Sequence, residues 1–184
     1  MRGEETQIAG LLAREPNFDG VVCLPGTYTK WVHVSAGEVV SFVTFMTGEI
    51  FALLCSDSVL RHTVGKEGWS DEDFATAVED AMTRPEWAAA RLFGLRAEAL
   101  LADLSPERSR ARLSGYLIGM ELAAARAYWL GRDIVLIGAH GITEAYLAAL
   151  RLGGLTAREQ DPTEMTLAGP TAAHQQSHDE RPPR

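Results

Sequence analysis

"VVCLPGTYTKWVHVSAGEVVSFVTF" (residues 21–45) holds three apolar, β-branched pieces, Val21–Leu24, Lys30–Val34 and Val39–Phe45, parted by two short breaks. The breaks are Pro25-Gly26 with the residues after it and Ser35-Ala36-Gly37-Glu38. Turn residues between runs of this kind read as hairpins, so the stretch predicts a β-meander. Its first turn is richer than a hairpin needs. Gly26 would expose backbone N–H groups, and Thr27, Thr29 and Lys30 add donors that suit phosphate oxygens. Read alone, the stretch supports either a plain hairpin or a loop that holds an anion. A Walker A loop is ruled out, since that needs GxxxxGK[ST] running into a helix.

Outward from the meander the pattern becomes helical. Upstream, residues 4–14 place Ile8, Leu11 and Leu12 on one side of a short amphipathic helix. Downstream, Thr47 is positioned to cap a helix that has Glu49 in its first turn. Ser70 and Asp73 resemble a capping box opening a helix. Pro85 suits the first turn of another, through about Ala102. A third opens at Ser105-Pro106, and its small-residue stripe (Ser114, Gly115, Gly119, Ala123) allows close packing. Ile134–Ile137 then reads as a buried strand, followed by a glycine-punctuated turn, a helix over about Thr143–Leu152 and a Gly153-Gly154 C-cap. "LTAREQ" predicts one more strand, and a short helix follows it, interrupted at Pro170. Residues 174–184 have little to bury and predict a disordered tail.

The 184 residues are 46% apolar, enough for the core of one domain, with a formal net charge of −8. Basic residues are scattered, which argues against nucleic acid as a partner. Cys23 and Cys55 stand far apart without a CxxC, as expected in a reducing compartment. No apolar run has the length of a membrane span and no signal peptide is evident, so a soluble cytoplasmic α/β domain is expected.

Three polar clusters lie at element ends, where a rigid scaffold aims functional groups. In "MRGEETQ", carboxylates at a helix start could supply a general base; the helix macrodipole alone also favours Glu there. The Gly26 hairpin is the second cluster. In "IGAHGIT", Gly138-Ala139-His140-Gly141 would let a ligand approach backbone at the positive end of a helix. Glycine is equally usual there for turn geometry, and His140 by itself reads as a capping or surface residue. The turn lacks GxGxxG spacing and a ribose-binding acid, which disfavours a Rossmann dehydrogenase.

Together, "MRGEETQ", "LPGTYTKWV", "F-x-TFMTGE-x-FALL", "LSGYLIGMEL" and "LIGAHGITEAYLAAL" resemble the 2-dehydro-3-deoxygalactonokinases over about residues 1–169. These are sugar kinases of the actin/hexokinase/Hsp70 ATPase fold. The resemblance implies a ribonuclease H-like, actin-like domain over residues 1–173: a mixed sheet with a β-meander, a helical section and a strand-turn-helix. It implies transfer of the ATP γ-phosphoryl group to the 6-hydroxyl of 2-dehydro-3-deoxy-D-galactonate, with Mg²⁺. Glu4 would be the catalytic base, with Arg2 and Glu5 near the sugar acid. Gly26, Thr27, Thr29 and Lys30 would bind phosphate, and Gly138, Ala139, His140 and Gly141 the adenosine. The residues present suggest no metal ligands of their own.

Two departures qualify these expectations. The family usually reads PGTHSKW in the hairpin, where this sequence has Tyr28 and Thr29. Family members also carry an N-terminal domain with a first phosphate loop and an Asp that anchors Mg²⁺, whereas this sequence starts where the second domain starts. A truncated chain is therefore expected, paired with a separately encoded half or self-associating. The competing expectation is a non-catalytic remnant with weak nucleotide binding or none.

Overall fold

The structure is a computed structural model and describes residues 3–169. Arg2, Pro170 and the expected tail at 174–184 lie outside the described residues. In chain order the elements are α1 (Glu4–Arg14), β1 (Gly20–Leu24), β2 (Thr29–Ser35), β3 (Glu38–Phe45), α2 (Thr47–Ser56), α3 (Asp71–Thr83) and α4 (Ala88–Leu101). Then come α5 (Pro106–Ala124), α6 (Arg126–Trp129), β4 (Asp133–Ile137), α7 (His140–Leu152) and β5 (Ala157–Gln160). A further helix covers 162–169 (α8).

The meander forms as its turns predict, with β1–β2 and β2–β3 antiparallel. β4 and β5 add on in parallel beyond β1, giving one mixed five-stranded sheet in the order β3-β2-β1-β4-β5. β1 and β4 are thus parallel neighbours at the centre, and their C-terminal ends lie side by side. Ligands favour the crevice beyond such ends.

β1 is buried on both faces, so it reads as a continuous apolar run. On one face Val22, Leu24, Val32, Val135 and Ile137 meet Ile8 and Leu11 of α1 and Met165 of α8. On the other, Val21, Cys23, Trp31 and Leu136 meet Phe74, Val78, Ile118, Leu122 and Leu150 of α3, α5 and α7. Burial raises the Cys23 thiol well above its ordinary range and keeps it protonated.

The helical layer rests on the small-residue stripe. A side chain at Gly115 would stand 2.6 Å from the Phe74 carbonyl, and one at Gly119 2.6 Å from that of Val78. Glycine therefore lets α5 approach the backbone of α3. Ser70 caps α3 as expected, its hydroxyl accepting from the Asp73 N–H. Thr47 does not cap α2. The cap position is Met46, without a side-chain bond, and the Thr47 hydroxyl donates instead to Glu121.

Candidate functional site

Two turns meet above the C-terminal ends of β1 and β4. The hairpin Pro25–Tyr28 follows β1, and Gly138-Ala139 follows β4 and leads into α7. A side chain at Gly138 would stand 3.2 Å from the Pro25 carbonyl and 3.2 Å from the Pro25 ring. The strand register thus brings the second and third polar clusters into contact.

The first cluster arrives by way of α1, which packs on the opposite sheet face. Its first residue, Glu4, reaches the same place. A cavity of about 350 Å³ is lined by Glu4, Gln7, Gly26, Thr27, Tyr28, Lys30, Gly138 and Ala139, among others. The Lys30 Nζ lies 2.6 Å from Glu4 Oε1 and also donates to the Tyr28 carbonyl at 3.4 Å. Lys30 is only 8% exposed, so its cation is fixed between strand and helix. The attraction in such a pair is less screened than at the surface, and desolvation of both charges offsets part of it. Gly26 faces open space, with nothing within 4 Å of where a side chain would stand.

Thr29 requires a correction. It was expected to donate to a ligand, but it is fully buried and its Oγ1 lies 2.9 Å from the Tyr146 hydroxyl. Side chains alternate along a strand, so with Lys30 turned to the α1 face, Thr29 and Trp31 must enter the other core. Glu5 is exposed on α1.

His140 and Gly141, the first residues of α7, lie away from the cavity holding Glu4: Gly141 borders two neighbouring recesses and His140 the wider of them. One, of about 290 Å³, is apolar and lies between α2, α5 and α7, with Phe51, Ser114, Ile118, Ile142 and Tyr146 in its walls. Arg110 also borders it, its guanidinium 5.1 Å above the Phe51 ring, as in a cation–π contact. The other is wider and more polar, and includes His140, Trp69, Glu144 and Arg151. The exposed His140 imidazole has its Nε2 3.2 Å from Glu144 Oε1.

Sequence reasoning missed two residues here. Gln7 lies three positions after Glu4, one helical turn away on the same face, and that spacing could have found it. Glu121 was hidden in the apolar run "LIGMEL" of α5, where a lone carboxylate was the available signal. It is 2% exposed and accepts from Trp31 Nε1 (2.8 Å), the Tyr146 hydroxyl (2.9 Å) and Thr47. Burial raises its carboxyl above the ordinary value, while the donors Thr47, Trp31 and Tyr146 pull the other way.

Among the described residues no group of three or more His, Cys, Asp or Glu is placed to hold a metal. No helix among them is long and apolar enough to cross a membrane.

Comparison with known proteins is consistent along the chain. The sequence model of the family described as 2-keto-3-deoxy-galactonokinase matches residues 1–173. A Rhizobium meliloti (strain 1021) protein named "Probable 2-dehydro-3-deoxygalactonokinase DgoK1" is 38% identical over 182 residues, covering 94% of this chain and 58% of its own. The 2-dehydro-3-deoxygalactonokinase of Escherichia coli (strain K12) is 34% identical over 155 residues, 84% of this chain and 52% of its own. A crystal structure from Sinorhizobium meliloti, described as a candidate 2-dehydro-3-deoxygalactonokinase, superposes with a TM-score of 0.90 at 38% identity. It covers 96% of this chain and 60% of that one. The chain therefore spans between half and three fifths of the length of these relatives.

Proposed function

The chain belongs to the 2-keto-3-deoxy-galactonokinase family, and from that premise we propose that it carries the base and nucleotide-binding face of a sugar-acid kinase. The supporting observation is the single cavity that unites Glu4, the Gly26–Thr27 hairpin, Lys30 and the Gly138-Ala139 turn. Under this reading residues 1–173 form an actin-like domain, and ATP and 2-dehydro-3-deoxy-D-galactonate are its substrates in the cytoplasm. The alternative of a non-catalytic, weakly binding chain is kept as an outcome of the test.

Phosphoryl transfer asks the protein for positioning and charge stabilisation more than for covalent chemistry. Glu4 takes the proton of the attacking 6-hydroxyl. Lys30, 2.6 Å away, holds that carboxylate in place and brings a positive charge to the edge where phosphate oxygens arrive. The open backbone at Gly26 and Thr27 offers N–H donors to those oxygens. Gly138 and Ala139 let the nucleotide pass close to backbone, and Gly141 leads it to the apolar recess walled by Ile142 and Phe51, which suits adenine. His140, in the neighbouring wider recess, is assigned to the adenosine as well, and Glu5 and Arg2 to the sugar acid. Mg²⁺ would arrive with ATP and would offset the phosphate charge, and no residue of this chain is given a metal-binding role.

The test is ADP release from ATP, Mg²⁺ and 2-dehydro-3-deoxygalactonate by the 184-residue chain, compared with Glu4→Gln. General-base removal should lower kcat by about 10²-fold or more with ADP affinity nearly unchanged. Wild-type turnover absent at every protein concentration overturns the enzymatic reading, and an unchanged rate in Glu4→Gln returns Glu4 to a helix-capping role.

A further inference from the structure

Between the hairpin and the apolar recess lies a buried polar network that the mechanism above does not use. Its centre is Glu121 on α5. Trp31 Nε1–H reaches Oε1 from β2, while the Tyr146 hydroxyl from α7 and the Thr47 hydroxyl from the start of α2 reach Oε2. Tyr146 gives its proton to Glu121, so its oxygen is open to the Thr29 hydroxyl, 2.9 Å away at the first residue after the hairpin. Burial, reinforced by the neighbouring Glu121, raises the Tyr146 phenol well above its ordinary range, so it stays a donor.

Two of the three donors to Glu121, Thr47 and Tyr146, also border the site, and Tyr146 reaches Thr29 as well. Thr29 is the foot of the hairpin. Thr47 and Tyr146 wall the apolar recess. Behind Thr47, the Glu49 N–H donates to the Thr27 carbonyl at 3.0 Å, and a side chain on Gly48 would collide with the Gly26 carbonyl. The hairpin is therefore held from two directions, through Thr29 and through α2, and both converge on one carboxylate. An apolar core could have filled this space with less desolvation penalty, because burying a charge is favourable only when donors saturate it.

We propose that Glu121 is a positioning residue, which fixes the Gly26–Thr27 hairpin at a set distance from the apolar recess so that a nucleotide's phosphates and base meet surfaces already aligned. The proposal rests on the kinase reading for the identity of the ligand, and on the hydrogen-bond network alone for the fixing of the hairpin.

The two are separated by measuring amide hydrogen exchange at residues 25–29 and ADP affinity on the same 184-residue chain. Tyr146→Phe removes one hydroxyl and keeps the ring, so the chain still packs. It should speed exchange at Gly26–Thr29 about tenfold and raise the ADP Kd about tenfold, leaving exchange in β4 and α3 unchanged. Glu121→Gln keeps an acceptor for Trp31, and the hydroxyls of Thr47 and Tyr146 can turn to serve its amide. It should restore both readouts to within about threefold of wild type, whereas Glu121→Leu should exceed Tyr146→Phe in both or fail to fold. Hairpin exchange that rises only in step with β4 and α3 shows general core loosening and overturns the proposal. Faster hairpin exchange with ADP affinity unchanged overturns it as well. A wild-type chain that binds no ADP sinks the nucleotide reading and with it the ligand half of this proposal, while the exchange data alone then decide the hairpin half.

Discussion

Asp73 and Glu4 are both carboxylates at the first turn of a helix, each paired with a basic side chain, yet they are finished differently. Asp73 receives the Ser70 hydroxyl, Arg108 Nε and Nη2 and Arg112 Nε, at 2.6–3.2 Å, and lies almost wholly inside the α3–α5 seam. Burial alone would raise its carboxyl, but hydrogen bonds from Arg108, Ser70 and Arg112 outweigh that and bring it from 3.8 to about 2. Glu4 is paired with Lys30 and lines a cavity. A buried carboxylate of that kind fastens helices to each other; under the proposed kinase reading, one that borders a cavity exchanges a proton with a bound substrate. On that reading, fold and chemistry use the same residue types and differ in how much room is left.

The contrast can be broken most forcefully at Asp73. Asp73→Ala leaves Arg112 without a main partner in a mostly buried position, and should lower the unfolding free energy by about 3 kcal/mol in urea titration. A loss below about 1 kcal/mol would mean that the seam rests on glycine packing instead.

Acid provides the next test. The Asp73 value is depressed, so its stabilisation is complete above the unfolded value near 3.8 and is lost as pH falls through about 2. At about 1.4 kcal/mol per pKa unit, roughly 2 kcal/mol should disappear over that window in the wild type and be missing from Asp73→Asn. Parallel acid-unfolding curves for the two proteins would contradict the hub.

At the cavity the effects should be functional rather than structural. Lys30→Ala should weaken ATP binding about tenfold and sugar-acid binding less, measured by calorimetry. Equal loss of both would make Lys30 a brace for α1. The smallest stability effect belongs to Gly26→Ala. Its site is open and its backbone conformation ordinary, so the melting temperature should hold within the change expected for about 0.5 kcal/mol, while ADP binds more weakly. A large drop in melting temperature would show that the hairpin needs glycine for folding.

Much of this arrangement could be read from the residues. The meander was marked by turn chemistry, α3 by its cap, and the α3–α5 contact by glycines at Gly115 and Gly119. The three polar clusters were visible because they stand where apolar periodicity stops. Which way each hairpin side chain points was hidden. In "TYTKW" hydroxyls and a lysine alternate on a strand buried on both faces, so polarity does not reveal the phase, and Thr29 was assigned outward when it faces Tyr146. Thr47 looked like a cap because its local sequence fits one; a carboxylate 74 residues later claims its hydroxyl. Long-range pairings such as Lys30 with Glu4 depend on which helix covers which sheet face, and that is decided by the assembled core.

The meeting of Gly48 with the hairpin carries a mechanical consequence. Because Thr27 is tied to Glu49 and no side chain separates Gly26 from α2, a shift of the turn would press directly on the start of that helix. The ten residues of α2 run about 15 Å, to Ser56. A ligand that gripped the turn would therefore push at one end of a helix whose other end stands on the protein surface.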